Sequence, residues 1–204
     1  MSVSIIIIIA TCLVSFPAFQ NHEMFYRLCF QPARIWHNKE WYRMFTGALL
    51  HADFTHLLFN MMSLYFFGPM VESYFSYYIG DSVFIYVSFY ILAAVVAHLP
   101  DLFMHKNDYN YRGVGASGAV SAVIFAAILF EPLSTLYIQF FIPLPAVVFG
   151  VGYLVYSVYM SRKMGDNIAH LAHFGGAVFG FVVPIILYPN FLLLFFEQIK
   201  NVFQ

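Results

Sequence analysis

Charge is what this sequence most lacks. Of 204 residues only 9% are Asp, Glu, Lys or Arg, while 62% are hydrophobic and 21% aromatic. A soluble domain carries roughly a quarter charged and about half apolar residues, and a globule of this size needs a polar skin that these residues cannot supply. That excludes a soluble enzyme and a disordered chain. Nine Lys and Arg against ten Asp and Glu leave a net charge of −1, so the basic footprint of a nucleic-acid binder is missing. Cysteine is also scarce. Cys12 lies in an apolar run and Cys29 beyond it, which gives no disulfide framework and no C-x-x-C redox or zinc motif. There is no H-E-x-x-H of a zinc protease. The first Lys or Arg is Arg27, so the apolar start lacks the charged leader of a secretory signal, and no clear A-x-A site follows. Residues 3–20 are therefore expected to be a retained membrane helix.

What the chain has is long unbroken apolar runs and a mean hydropathy of +0.77. These exclude a membrane β-barrel, whose strands alternate over short segments, and imply a helical multi-pass protein. Six segments reach spanning length: 3–19, about 56–78, about 83–99, 114–130, about 136–160 and about 167–188. The fold class expected is thus all-α, a six-transmembrane-helix bundle in a single domain, 1–204. Pro143 and Pro145 should kink the fifth segment or delay its start. The tail 190–204 is too short to span and should lie at the interface.

Three clusters within these segments are polar, and polar groups in a membrane are costly. The first is Gly115-Ala116-Ser117-Gly118, opening the fourth segment. A serine at a helix N-terminus can be a nucleophile, because free N–H groups there stabilise negative charge near its Oγ. The competing reading is a packing face, since Gly118, Ala122 and Ala126 have small-xxx-small spacing. The second is His170-x-x-His173 with Gly176-x-x-x-Gly180 in the sixth segment. Those glycines let the helix approach a small-residue partner closely, which a Ser–His bond of about 2.6–3.2 Å requires. A structural histidine, or a metal pair, competes. The third is His51-x-x-x-x-His56-x-x-x-Asn60. His56 and Asn60 share a helix face and can donate to an oxyanion, or simply bond neighbouring helices.

All three clusters open even-numbered segments, which enter from the same membrane face. A nucleophile, a base and two donors therefore converge in one leaflet, as in a serine hydrolase. No Asp or Glu lies deep enough to orient the histidine, so a dyad is expected, with Asp166 and Asn167 at the rim.

G-x-S-G in a small-residue helix, A-H-x-x-G-x-x-x-G in the last helix and H-x-x-x-x-H-x-x-x-N in the second resemble the rhomboid intramembrane serine proteases. Glu40-Trp41-Tyr42-Arg43, then Thr46 and Leu50-His51, are similar to that family's first loop. The resemblance covers about 41–180, within an expected core of about 41–188. It implies Ser117 as nucleophile and His173 as base, because His173 and not His170 has glycines at +3 and +7. It implies His56 and Asn60 in the oxyanion hole, Gly115, Gly118, Gly176 and Gly180 as motif glycines, and no metal or cofactor. It implies single-pass membrane proteins as substrates, cut within the bilayer. Rhomboids often carry an aromatic one turn after the serine, packed on the catalytic histidine; here that position is Ser121.

Two other classes stand against this reading. One is a catalytically silent rhomboid relative that binds membrane clients. The other is a metal-dependent membrane protein using His51, His56, His170 and His173. Six spans without a cytosolic domain match the family's minimal bacterial form, which implies a bacterial inner membrane. Orientation is contested. The family topology puts the N-terminus in the cytoplasm, whereas Arg27, Arg34, Lys39, Arg43, Lys106, Arg112, Arg162 and Lys163 crowd the loops that would then be external, which the positive-inside rule reads the other way.

Overall fold

A computed structural model of the chain describes residues 2–80, 82–138, 142–163 and 170–201. It is mostly helical. Helix α1, Val3–Gln20, leads into a long first loop that holds α2, His22–Leu28, α3, Pro32–Asn38, α4, Arg43–Thr46, and a 3-10 turn, Gly47–Leu49. Then come α5, Phe54–Tyr78, α6, Ser82–Ala97, α7, Leu99–Met104, and α8, Ser117–Phe130. A hairpin of β1, Thr135–Ile138, and β2, Ile142–Pro145, precedes α9, Ala146–Lys163, α10, His170–Leu187, and α11, Asn190–Lys200.

Among the described residues, three helical stretches are long and apolar enough to cross a membrane: Val3–Gln20, Val83–Met104 and His170–Leu187. Six spans were expected. Ser117–Phe130 and Ala146–Ser161 are apolar but shorter. At 1.5 Å per residue, the 14 residues of α8 reach about 21 Å, less than a hydrocarbon core of about 30 Å. The packing explains this. Every residue of α8 except Ser117 and Ile124 is buried, because α10, α5, α6, α9 and α11 surround it. It is a core helix, apolar all round.

The hairpin corrects the all-α expectation. The fifth segment was read as helical from about Leu136, and its helix starts at Ala146. Residues 135–138 pair antiparallel with 142–145, Thr135 opposite Pro145 and Ile138 opposite Ile142. Pro143 and Pro145 lack an N–H and push the residues before them towards extended backbone. The β-branched and aromatic Thr135, Tyr137, Ile138 and Ile142 suit a strand. The start expected for the sixth segment, Asn167, and the rim residues Asp166 and Asn167 lie outside the described residues.

The tail does form an amphipathic helix, α11. Phe191 and Phe195 are buried in the core, while Leu193 and Phe196 stay exposed. Gln198 Nε2 donates to the Phe130 carbonyl at 2.8 Å, satisfying one of the orphan acceptors where α8 ends. Cys12 and Cys29 are both free thiols.

The start of α1 is held by a carboxylate from the C-terminal part of α5. Glu72 on α5 accepts from the Val3 and Ser4 backbone N–H groups at 2.8 Å each. The Ser4 hydroxyl bonds both Glu72 and the Tyr86 hydroxyl. A negative charge there complements the helix dipole and satisfies the orphan donors of the first turn. Removing such a charged acceptor costs about 1.5–3 kcal/mol. Glu72→Ala should therefore lower the unfolding temperature in detergent by several degrees, whereas Glu197→Ala, at an exposed position of α11, should leave it nearly unchanged. Equal melting of Glu72→Ala and the parent would contradict this role.

Candidate active site

Ser117 is the first residue of α8. Gly115 just before it has φ +118°, a conformation that glycine adopts without strain. Its backbone N–H donates to the Gly47 carbonyl at 3.0 Å. Ala116 caps α8 without a side-chain hydrogen bond, so among the described residues no side chain caps the N–H groups of the first turn. The turn therefore presents a half-buried hydroxyl beside unused donors at the positive end of a helix.

The His56 ring meets this turn. A Cβ on Gly115 would lie 2.7 Å from His56 Cε1, 2.9 Å from its Nε2 and 3.7 Å from Ser117 Oγ. Imidazole edge and hydroxyl thus flank one glycine that has no side chain to separate them. His56 sits in the first turn of α5, where Asp53 Oδ1 accepts its backbone N–H at 2.8 Å. Asn60, buried one turn on, gives one amide N–H to the His56 carbonyl at 2.9 Å. An amide carries two such donors.

α10 reaches α8 through backbone contact. A Cβ on Gly176 would collide with the Gly118 carbonyl oxygen and lie 2.8 Å from its carbon. A Cβ on Gly180 would strike the Ala122 carbonyl oxygen and approach the Ala122 Cα at 2.5 Å. One turn earlier, a Cβ on Gly118 would lie 3.4 Å from the Ala172 carbonyl oxygen. His173, next to Ala172, is half-buried, and its ring lies 6.1 Å from the buried His170 ring, nearly perpendicular. The Tyr153 ring on α9 stacks over His173 at 6.3 Å and 25°. All four motif glycines are therefore positions of close approach.

Comparison with known proteins matches the Rhomboid domain to residues 38–190. The chain belongs to the rhomboid family. It is 33% identical over 144 residues to RHOMBOID-like protein 12, mitochondrial, of Arabidopsis thaliana, covering 66% of this chain and 43% of that protein. It is 33% identical over 155 residues to the Putative rhomboid protease YdcA of Bacillus subtilis, covering 73% and 68%. It is 26% identical over 171 residues to Rhomboid protease AarA of Providencia stuartii, covering 74% and 58%. The chain thus spans from under half to about two thirds of these relatives.

In this rhomboid the first loop does what sequence reasoning missed: it clamps the serine turn. Phe30 and Gly113 form an isolated antiparallel bridge, with N–H to O=C distances of 3.0 and 2.9 Å. Arg43 is buried, with Nη1 donating to the Tyr26 and Cys29 carbonyls at 2.8 and 3.0 Å and Nε to Glu40. Thr46 Oγ1 donates to the Leu28 carbonyl at 2.7 Å. The signal for this was the charged, aromatic stretch 40–46 itself. Its inward donors answer carbonyls that the irregular loop leaves open. Two surface clefts are lined by loop residues such as Arg27 and Tyr42 and by Phe25 and Phe54, and neither has Ser117 or His173 in its lining.

His51, in the loop ahead of α5, is fully buried edge-on to His56, with ring centroids 5.0 Å apart. Its Nδ1 lies 3.0 Å from Ser15 Oγ. That hydroxyl donates to the Leu49 carbonyl at 2.7 Å, so it accepts from a protonated Nδ1, which leaves Nε2 bare. Burial, reinforced by His56 and opposed by Asp53, pushes the His51 pKa down to about 3. The unfolded chain takes up this proton near pH 6.5 and the folded one does not. Stability from this group is therefore intact above about pH 6.5 and falls between there and about 3, by up to about 1.4 kcal/mol per pH unit. His51→Gln should be less stable at pH 7 yet lose less on acidification to pH 5 than the parent, as read by thermal unfolding in detergent. An equal acid loss in both proteins would refute this.

Proposed function

We propose that this rhomboid is an intramembrane serine endopeptidase. Ser117 attacks the carbonyl of a peptide bond in or near the transmembrane segment of another membrane protein. His173 takes the serine proton and returns it to the leaving amine. The Ser117 backbone N–H, His56 and Asn60 receive the oxyanion, and water releases the acyl-enzyme. The observation that carries this reading is the meeting at one glycine, Gly115, of the His56 ring and the Ser117 hydroxyl at an uncapped helix start. The backbone contact between α8 and α10 supports His173 as the partner. Family membership and relatives named as proteases support the reaction class.

The same reading takes the chain as one membrane domain that crosses the bilayer six times, through α1, α5, α6, α9, α10 and the short, protein-surrounded α8 together with the turn before it, with α11 at the interface. Its site faces outward, in a bacterial cell membrane. A dyad suffices, with no metal and no cofactor. A histidine-based metal protein would need several donors at one point, and among the described residues no three His, Cys, Asp or Glu side chains gather so. A client-binding relative without activity would leave Ser117 inert.

Purified protein with a single-pass substrate separates these readings. Ser117→Ala and His173→Ala should abolish cleavage and fluorophosphonate labelling, while His170→Ala keeps a measurable fraction. The His56→Ala, Asn60→Ala double variant should lose roughly a hundred- to a thousandfold in rate. A chelator should change nothing. Turnover that survives in Ser117→Ala would sink the proposal, as would a parent protein that neither cleaves nor labels.

A further inference from the structure

Position 121, one turn after Ser117, is a serine where the family resemblance leads one to expect an aromatic against the histidine. The ring that covers His173 comes from another helix. Tyr153 on α9 stacks over it at 6.3 Å and 25°. Its hydroxyl lies 2.8 Å from Ser121 Oγ, and Ser121 is buried. Phe149, one turn before it, and Phe125 on α8 hold the same ring at 6.0 and 5.7 Å. A tyrosine caged on its faces and tied at its tip has little rotamer freedom left. A larger side chain at 121 would occupy the space that the Tyr153 hydroxyl fills.

We infer that Tyr153 is the positioning residue for His173, and that Ser121 sets Tyr153. The inference rests on the proposed role of His173 as base. The stacked ring fixes the plane of the imidazole that takes the proton as Ser117 loses it. Ser121 serves by being small and by holding the hydroxyl. The aromatic duty has moved from α8 to α9, so the order of the base depends on how α9 is seated.

The test uses the full chain in detergent with a single-pass substrate, reading kcat and KM separately. Tyr153→Leu should lower kcat about tenfold or more with KM within about twofold. Tyr153→Phe and Ser121→Ala, which keep the ring and lose the bond, should lose only a few-fold. The pair Ser121→Tyr with Tyr153→Ala returns a ring to α8 and should exceed Tyr153→Ala alone several-fold in kcat. The rate of fluorophosphonate labelling should follow kcat across the series. If Tyr153→Leu turns over like the parent, or raises KM while keeping kcat, the inference is overturned, and the ring is then packing or a substrate contact. Active Ser117→Ala or His173→Ala would instead overturn the reading beneath it. Inactivity of those two beside a fully active Tyr153→Leu leaves the dyad standing and removes only this step.

Discussion

The arrangement depends on two helices touching without side chains between them. Gly176 and Gly180 of α10 sit against the carbonyls of Gly118 and Ala122 on α8. In a bilayer the hydrophobic effect does not drive helices together, so close packing and hydrogen bonding must do so, and small residues make that packing possible. A methyl group at either glycine would overlap backbone, which cannot rotate away. The contact also sets which groups become neighbours. With α8 surrounded by the other helices, the position of α10 fixes how far His173 stands from the start of α8.

Around that contact the polar groups are placed by backbone capping. Asp53 caps α5 and thereby places His56. Glu72 caps α1, and Ser15 on the same helix reaches His51 and the Leu49 carbonyl. The first loop then closes over the serine turn through Phe30, Gly113, Gly47 and Gly115. Each device satisfies backbone groups that the membrane cannot hydrate. The opening turn of α8 has no side-chain cap, as is true also of α3, α4, α7 and α11, but only α8 opens on Ser117. Donors left open at a helix N-terminus beside a serine have a use in acyl transfer, which is why the proposed oxyanion site falls there.

The glycine spacing 176/180 and the position of Ser117 at a helix start were legible in the sequence, because small residues and helix starts leave local signals. The run of spans was legible only in part. Composition reports that α8 is apolar, and it cannot report that its 14 residues are shorter than a hydrocarbon core and surrounded by protein. The hairpin was missed because Leu136 to Leu144 is as apolar as a helix would be, and only its prolines and β-branched residues differ. Arg43 at least had its signal in the charged, aromatic stretch 40–46, whereas the Phe30–Gly113 bridge joins residues far apart in sequence, for which no local pattern exists. Tyr153 was invisible for the same reason. Ser121 showed that α8 places no ring one turn after Ser117, and nothing along the chain said that Tyr153 of α9 would stack with His173.

The central claim is that backbone contact between α8 and α10 builds the reactive site. It is tested most directly by the rate at which a fluorophosphonate labels Ser117 in glycine variants that keep the helical signal of the parent. Gly176→Ala and Gly176→Val each add atoms where the Gly118 carbonyl lies, whereas Gly152→Val adds them where no atom lies within 4 Å. The account predicts labelling that falls from Ala to Val at 176 and stays at the parent rate at 152. Parent-rate labelling in Gly176→Val would contradict it.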